Sequence, residues 1–358
     1  MGDGPRRGQY PQNLGRPHTR SGNSPESSCA RATSRGTLLV LMDEIRSKTP
    51  PTSRSHLRLR ILSLAGAATL VVLAVVAVYL LFGRTSATQA SVKPRPTPAA
   101  KSAATALPFE LVDTDGLEVD GAGNVYVSDS GTDRVWELKA GSDTPIVLPF
   151  TGLKEPGGLA VDGHNALYVV DQKNKRVLKL PAGSSAQVEL PMTGLEEPHG
   201  IGVNSRGNVF VVDFKGNRVL ELPSDSNTQV ELPFAGLNQP YDLAVDEADT
   251  VYAADAGNNR VVKLAAGTNT PVDLPFTGLN FPNSLAIDHS GNLYVTDLNN
   301  NRVLKLTAGS NTVSTLPFSN LVAPFEVAVS PQGDIYVADF HNRVLKLPAG
   351  YETVPLGS

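Results

Sequence analysis

The chain has 358 residues, of which 41% are apolar, and it contains one cysteine, Cys29. A single cysteine excludes a disulfide framework and a metal site made of several thiolates. The net charge of −4 is unevenly divided, because residues 1–104 carry +11 and residues 105–358 carry −15. The acidic part argues against a nucleic-acid ligand, since nucleic-acid binding needs a basic surface.

Residues 1–60 are rich in Arg, Pro, Ser and Gly and have little apolar periodicity, which predicts a disordered basic tail. Met42 is a candidate translation start within this tail, a hypothesis that any peptide from residues 1–41 in the expressed protein would exclude. Residues 61–82 follow as 22 positions without a charged side chain, a length that crosses a bilayer as one helix. A cleaved signal peptide fits less well, because its apolar region is usually shorter.

The distribution of basic residues predicts the orientation of this span. Five Lys and Arg residues lie between positions 46 and 60, and three lie between positions 84 and 95. The positive-inside rule therefore predicts a cytoplasmic N-terminus and an extracytoplasmic C-terminal part. Residues 83–106 are rich in Pro, Ala and Thr, which predicts an extended linker. We expect a single-pass protein of the plasma membrane.

An aspartate recurs at intervals of 42 residues through the rest of the chain, each time at the end of a Tyr-Val-x-Asp-like segment. The six positions are Asp129, Asp171, Asp213, Asp255, Asp297 and Asp339. Six units of 42 residues account for residues 107–358. A period near 40 residues, with several short strands in each unit, is typical of the blades of a β-propeller.

Each unit contains four short apolar segments separated by turn residues, which predicts a four-stranded sheet. The sequence therefore predicts an all-β fold, a six-bladed β-propeller over residues 107–358 preceded by one transmembrane helix. Residues 107–109 and residues 353–356 both match the end of a fourth strand. Either end of the chain could therefore supply the outer strand that closes the ring.

Residues 282–306 read Pro-x-x-Leu-Ala-Ile-Asp, then Gly-Asn-Leu-Tyr-Val-Thr-Asp, then Asn-Arg-Val-Leu-Lys-Leu, and this pattern resembles the NHL repeat. The order of apolar span, proline-rich linker and propeller resembles the C-terminal half of a mycobacterial receptor-type serine/threonine protein kinase. In that family the propeller is the extracytoplasmic sensor. The Gly-rich loop, the catalytic loop and the metal-binding motif of a kinase are absent from the sequence. The resemblance therefore implies a sensor without a kinase domain.

The repeated aspartates are each followed, in the next segment, by an arginine. A binding or catalytic site is seldom sixfold, so we expect these pairs to tie strands together by charge-assisted hydrogen bonds. The histidines of the propeller are too dispersed to converge on a metal ion. No set of nucleophile, base and orienting acid is evident. We expect no catalytic residues, no metal and no cofactor.

Two loop positions vary most between the units: the one that enters the first strand and the one that follows the repeated aspartate. Both should emerge on the same face, where large apolar side chains are predicted to be exposed and to bind a ligand. Packing of the same side chains into a plug of the channel is the alternative. The candidate binding residues are His199, Phe214, Tyr241, Asp242, Asn283, Leu298, Phe325, Glu326 and Phe340.

The expected function is that of a membrane-anchored extracytoplasmic binding or sensor domain, whose partner is a protein or another cell-envelope ligand. The alternative is a propeller lyase or lactonase that acts in the channel. Residues 198–201, Pro-His-Gly-Ile, resemble a stretch of streptogramin lyases. The Trp-Phe-Thr-Glu-like second strand of those lyases is absent, since residues 210–213 read Phe-Val-Val-Asp.

Overall fold

The short apolar segments form strands in the computed structural model, which describes residues 103–356. The turns between them use residues with positive φ, such as Gly183 (70°) and Asn259 (55°), which adopt this conformation at little cost. The predicted tail (1–60), the predicted span (61–82) and most of the predicted linker lie outside the described residues. Between residues 103 and 356, no helix has the length and apolar character needed to cross a membrane.

The described residues form six antiparallel sheets, the blades. The innermost strands are β2 (Thr114–Val119), β6 (Pro156–Val161), β10 (Pro198–Val203), β14 (Pro240–Val245), β18 (Pro282–Ile287) and β22 (Glu326–Val329). The second strands are β3 (Val125–Asp129), β7 (Leu167–Asp171), β11 (Val209–Asp213), β15 (Val251–Asp255), β19 (Leu293–Asp297) and β23 (Ile335–Asp339). The third strands are β4 (Arg134–Leu138), β8 (Arg176–Leu180), β12 (Arg218–Leu222), β16 (Arg260–Leu264), β20 (Arg302–Leu306) and β24 (Arg343–Leu347).

The outer strands of the first five blades are short: β5 (Ile146–Val147), β9 (Val188–Glu189), β13 (Val230–Glu231), β17 (Val272–Asp273) and β21 (Val313–Thr315). Short 3-10 turns at Ala256–Asn258 and Leu298–Asn300 follow β15 and β19. Each innermost strand contacts the next, and β22 contacts β2, so the ring is closed. The all-β six-bladed propeller predicted from the 42-residue repeat is confirmed.

The N-terminal end of the domain closes the ring. Strand β1 (Thr105–Ala106) pairs with β24 and is the outer strand of the sixth blade. The propeller therefore begins just before residue 107, where the prediction set its boundary. The other candidate segment has a different position, because β25 (Val354–Pro355) pairs with β21 and adds a fifth strand to the fifth blade.

The core lies between neighbouring sheets and is built largely by the second strands, which are almost entirely buried. In four blades the tyrosine of the second strand donates its hydroxyl to an aspartate that follows the innermost strand. In the second blade, Tyr168 Oη donates to Asp162 at 3.0 Å, and in the fifth blade Tyr294 Oη donates to Asp288 at 2.9 Å. In the third blade the tyrosine is replaced by Phe210, which needs no partner.

The predicted Asp–Arg ties are confirmed in five blades. The aspartate of each second strand is fully buried, and in the second blade Arg176 Nε donates to Asp171 at 2.8 Å. Equivalent bonds of 2.7–3.1 Å occur in the third to sixth blades. The first blade differs, because Asp129 accepts from Thr132 Oγ1 at 2.7 Å and makes no ion pair with Arg134.

A second set of bonds links neighbouring blades. The turn residue before the third strand has a positive φ, and its side chain accepts the backbone N–H of the loop that enters the next blade. These bonds, each 2.7–2.8 Å long, join Asp133 to Glu155, Asn217 to Gln239, Asn259 to Phe281 and Asn301 to Ala323. At the closure, Asn342 Nδ2 donates to the Val112 carbonyl at 2.6 Å.

Candidate ligand-binding face

The loop that enters each inner strand lies beside the turn between the second and third strands of the same blade. In the first blade Ser130 N–H donates to the Asp113 carbonyl at 2.8 Å, and in the sixth blade Phe340 N–H donates to the Val322 carbonyl at 2.9 Å. Both sets of loops therefore surround one end of the central channel. We call this end, formed by residues 110–116 and 129–133 and their equivalents in the other blades, the mouth face.

The side chains that were predicted to be exposed at the mouth face are mostly buried. Tyr241, Leu298 and Phe325 are 9%, 6% and 8% exposed, and Phe214 is partly buried against the same apolar cluster. Phe340, at 56%, is the member of this predicted set that solvent reaches. The expectation of exposure was wrong because these loops turn their large side chains towards the channel axis, where the side chains pack on one another.

An aromatic group closes the mouth from the side of the third and fourth blades. The His199 ring lies 4.5 Å from the Tyr241 ring and 5.1 Å from the Phe214 ring, measured between centroids. Tyr241 also packs edge-on against Phe281 at 6.1 Å. Tilted and edge-on contacts at these separations are favourable for aromatic rings. The plug that was the alternative from sequence is thus present, and Phe281 belongs to it although the sequence did not single it out.

Beneath this plug, one repeat position changes character around the ring. The residue is glycine in the first three blades (Gly116, Gly158, Gly200) and polar in the last three (Asp242, Ser284, Glu326). A β-carbon at Gly200 would lie 2.5 Å from the Asp242 Cα, so glycine is required where the inner strands approach closely. Sequence comparison of the units pointed to Asp242 and Glu326 but passed over Ser284.

Ser284 connects the two carboxyl groups beside it. Its Oγ lies 2.9 Å from Asp242 Oδ2 and 3.2 Å from Glu326 Oε2. Asp242 Oδ2 also accepts the Leu285 N–H at 2.9 Å, and Ser284 Oγ accepts the Val327 N–H at 3.3 Å. This Asp242–Ser284–Glu326 triad therefore spans the fourth, fifth and sixth blades close to the axis.

Burial is the largest cause of the altered acidity of four carboxyl groups near the axis. It raises the pKa of Asp242 to about 6 and that of Glu118 to about 8. It also raises the pKa values of Asp115 and Glu326 well above the ordinary range. Neighbouring carboxylates add to the shift, since Asp242 acts on Glu326 and Asp113 acts on Asp115. Burial therefore makes each of these acids harder to ionise than the same group in water.

Two candidate residues have polar atoms without partners inside this region. Gln172 Nε2 donates to Asp115 at 3.0 Å and lies 3.3 Å from His199 Nδ1. His199 Nε2 is buried without a hydrogen-bond partner and lies 3.8 Å from Glu197 Oε1. Both amide atoms of Asn283, which is fully buried, also have no hydrogen-bond partner. Buried polar groups are usually satisfied, so these atoms mark positions for ordered water or a bound group.

A cavity of about 170 Å³ occupies the channel below the triad. Its walls are the innermost strands, and its polar side chains are Glu118, Asp242, Ser284 and Glu326. In residues 103–356, no group of three or more His, Cys, Asp and Glu side chains has the geometry to hold a metal ion. The exposed lining of the cavity is therefore mainly polar, with three carboxyl groups around it.

An exposed apolar patch lies at the other side of the mouth face, where the sixth blade meets the first. Val112 (57% exposed), Val322 (38%) and Phe340 (56%) form it, and we call it the seam patch. Backbone bonds hold these residues close together, since Phe340 N–H donates to Val322 and Asn342 donates to Val112. The positions equivalent to Val112 and Val322 in the other blades are polar: Lys154, Glu196, Asn238 and Asn280.

The comparisons with known proteins agree with this architecture. Residues 279–306 match the NHL repeat. The domain is a six-bladed NHL-repeat propeller. The serine/threonine-protein kinase PknD of Mycobacterium tuberculosis is 42% identical over 101 residues, which are 26% of this chain and 14% of the kinase. The resemblance to this kinase family is thus confirmed for a quarter of the chain, and the matched part is a small share of the kinase's own length.

Solved structures share the fold of this NHL propeller at low sequence identity. The gluconolactonase XC5397 from Xanthomonas campestris aligns with a TM-score of 0.58 and 16% identity, covering 68% of this chain and 89% of its own. A catalytically inactive virginiamycin B lyase from Staphylococcus aureus with quinupristin gives 0.54 and 15%, covering 71% and 88%. A nidogen/laminin complex gives 0.50 and 24%, covering 54% and 75%. These likenesses establish the propeller fold and nothing about activity.

Proposed function

We propose that the chain is a membrane-anchored recognition protein whose NHL propeller binds a protein or cell-envelope ligand outside the plasma membrane. The mouth face is the binding surface, and the contact is centred on the seam patch. The observation that carries the proposal is the restriction of Val112, Val322 and Phe340 to one side of this face. Grouped exposed apolar side chains commonly mark sites of interaction.

Three features of the mouth face support this choice of surface. The scaffold is rigid, because buried Asp–Arg pairs and side-chain bonds between blades fasten the loops. The repeat does not require apolar residues at the positions of Val112 and Val322, since the other four blades have Lys, Glu or Asn there. The other large apolar candidate residues, including Tyr241 and Leu298, are buried by packing and leave the seam patch as the accessible apolar area.

Site-specific photo-crosslinking in the host cell tests the surface. A photoreactive phenylalanine analogue at position 340 of the full chain should give a discrete crosslinked adduct, which Val322→Asp should remove. The matched control is position 230, where Val230 is 52% exposed on an outer strand far from the mouth. The same adducts at both positions, or none at position 340, would contradict the proposal.

Cysteine labelling tests the predicted location. Cys29 is the sole cysteine of the chain and lies in the predicted cytoplasmic tail. A second cysteine introduced by Ala182→Cys would be exposed in a turn of the propeller. A membrane-impermeant maleimide should label Ala182→Cys on intact cells and reach Cys29 only after lysis. Labelling of Cys29 in the wild type on intact cells would show that the N-terminal tail lies outside the cell, which is the opposite of the predicted topology.

A second candidate function, lyase or lactonase chemistry in the channel, is favoured by the carboxyls of Glu118, Asp242 and Glu326 around the cavity. Raised pKa values let a carboxyl serve as a general acid near neutral pH. Turnover of a lactone or streptogramin B by the purified chain, abolished by Asp242→Asn, would support this candidate. A tightly held stoichiometric metal in the purified chain would also favour it.

A further inference from the structure

The hydrogen-bond count at Ser284 requires a proton on one of its two carboxyl neighbours. A serine hydroxyl has one hydrogen to donate and two lone pairs that accept. Ser284 Oγ lies within hydrogen-bond distance of Asp242 Oδ2, Glu326 Oε2 and the Val327 N–H. The hydroxyl can donate to one carboxylate only. The other carboxyl contact is a hydrogen bond only when that carboxyl group is itself the donor.

The neighbouring contacts identify Glu326 as the donor. Asp242 Oδ2 already accepts the Leu285 N–H at 2.9 Å, which favours its charged form. Among the described residues, the hydroxyl of Ser284 is the one hydrogen-bonding partner of the Glu326 carboxyl. With Glu326 protonated, Ser284 donates to Asp242 and accepts from Glu326 and Val327. Every polar group of the triad is then satisfied.

The charged groups around Glu326 also favour the proton. Asp242 on β14, together with Asp115 and Glu118 on β2, acts on it through space, and each raises its pKa. His199 on β10 lines the same small cavity as Glu326, with its unbonded Nε2. Lys173 acts on Asp115 and is not among the groups that shift Glu326. No basic side chain of residues 103–356 forms an ion pair with Glu326.

We propose that Glu326 keeps a proton at neutral pH and that this proton closes a lock across the fourth, fifth and sixth blades at the mouth. Loss of the proton leaves two carboxylates competing for one hydroxyl hydrogen inside a buried space. The inner ends of β18 and β22 then separate, and the mouth loosens. Alkaline pH therefore opens this side of the ring, and mildly acidic pH holds it shut.

The direction follows from linkage between protonation and opening. The pKa of Glu326 is raised in the closed state and returns towards its ordinary value when the mouth opens and water reaches the carboxyl. The lock is therefore fully effective below the ordinary pKa of glutamate. Above it, each pH unit increases the opening constant by up to about tenfold, until the pKa of the closed state is passed.

Infrared spectroscopy of the full chain provides the direct test. The wild type at pH 7 should show the C=O stretch of a protonated carboxyl group, and Glu326→Gln should lose the part of this band that belongs to Glu326. Glu196→Gln is the matched control, because Glu196 is an exposed carboxylate on the same face. An unchanged carboxyl band in Glu326→Gln, or no such band in the wild type at pH 7, would overturn the proposal.

Hydrogen exchange measures the lock itself. After correction for intrinsic rates, the opening of the Leu285 and Val327 N–H groups should increase with pH between about 5 and 8 in the wild type and in Glu196→Gln. Glu326→Gln should flatten this dependence, since the amide donates to Ser284 at every pH. The same slope in Glu326→Gln as in the wild type would contradict the lock. If this variant does not fold, exchange in the wild type alone still tests the lock, because opening of the Leu285 and Val327 N–H groups that does not increase with pH would overturn it.

The proposal does not depend on the proposed binding function. The readouts are the protonation of Glu326 and the exchange of two amides, and neither needs a ligand. A failed crosslink at position 340 would leave the lock untouched. A missing carboxyl band would likewise leave the seam patch as the candidate binding surface.

Discussion

The two halves of the ring solve the crowding around the axis in different ways. In the first three blades, glycine at positions 116, 158 and 200 lets neighbouring inner strands approach until backbone nearly touches backbone. In the last three blades, Asp242, Ser284 and Glu326 occupy the same position and replace that contact with buried hydrogen bonds. The repeat determines the course of the strands. The residue at this one position determines whether adjacent blades touch by close backbone packing or are joined by hydrogen bonds.

The largest expected effect comes from adding one carbon on the glycine side. Gly200→Ala places a β-carbon against the Asp242 backbone and carboxyl group, in a strand that cannot shift freely. We expect a loss of about 3 kcal/mol in the free energy of unfolding, the upper range for overpacking. Gly163→Ala is the control, because a β-carbon there meets nothing within 4 Å and φ is not positive. Denaturant titration of both variants measures the difference, and equal midpoints would refute the need for close approach.

The carboxyl groups with shifted pKa values should make the stability of the propeller depend on pH. Asp242 and Glu118 have pKa values raised to about 6 and about 8, so they stabilise the fold most at acidic pH and progressively less as pH rises to 8. Asp162 and Asp288 have lowered pKa values and lose their stabilising effect when pH falls below the ordinary range of aspartate.

Together these shifts predict a maximum in stability near pH 4–5 and a loss of about 2 kcal/mol by pH 8. Glu118 contributes less than its shift alone would give, because its side chain is only partly buried and faces the channel. Calorimetric scans across this range check the prediction. A stability maximum at pH 7 or above would show that the buried acids do not determine how the stability of the propeller depends on pH.

A third change removes the link within the polar half. Ser284→Ala takes away the hydroxyl that joins Asp242 and Glu326 and leaves the Val327 N–H without its acceptor. We expect a destabilisation of about 1.5 kcal/mol, typical of a buried hydrogen bond whose partners stay behind. Ser142→Ala, at an exposed turn, should change the unfolding midpoint by less than about 0.5 kcal/mol. An equal change in the unfolding free energy for both variants would show that the triad does not contribute to stability.

The smallest effect on stability is expected at the seam patch. Phe340→Ser exchanges a largely exposed ring, so the unfolding free energy should change by no more than about 0.5 kcal/mol. Val230→Ser on an outer strand should behave alike. Thermal denaturation of both variants checks this, and a large loss in Phe340→Ser would mean that the ring packs within the fold and is not available to a partner.

The sequence was sufficient for the architecture because the repeat is strict. The 42-residue spacing of the buried aspartates predicted the number of blades, and their arginine partners were correctly interpreted as ties in blades two to six. The first blade departs from this rule, since Asp129 bonds to Thr132. Thr132 stands where Asn174, Asn258 and Asn300 donate to the aspartates of their own blades. The sequence did not indicate the missing Asp129–Arg134 pair, because Arg134 stands at the expected position.

The mouth face was less predictable, since burial there depends on the direction of each loop. Tyr241 and Phe325 each follow a proline, as His199 and Asn283 do in other blades. Only the packing of six loops around an axis turns these large side chains inward. The triad had a signal that could have been used. Reading one repeat position around the ring gives three glycines and then Asp, Ser and Glu, a change that no packing requirement explains.

The closure by β1 has a mechanical consequence. The ring closure is held by two β1–β24 register pairs, Thr105 with Lys346 and Ala106 with Leu345. It is also held by the hydrogen bond that Leu107 N–H donates to the Val344 carbonyl. Tension on the chain upstream of Thr105 loads the β1–β24 contacts in shear, directly at the junction between the last blade and the first. Single-molecule stretching from residue 103 should release them at a lower force than stretching from an internal loop such as residue 182. Equal rupture forces would show that the β1–β24 contacts bear no special load.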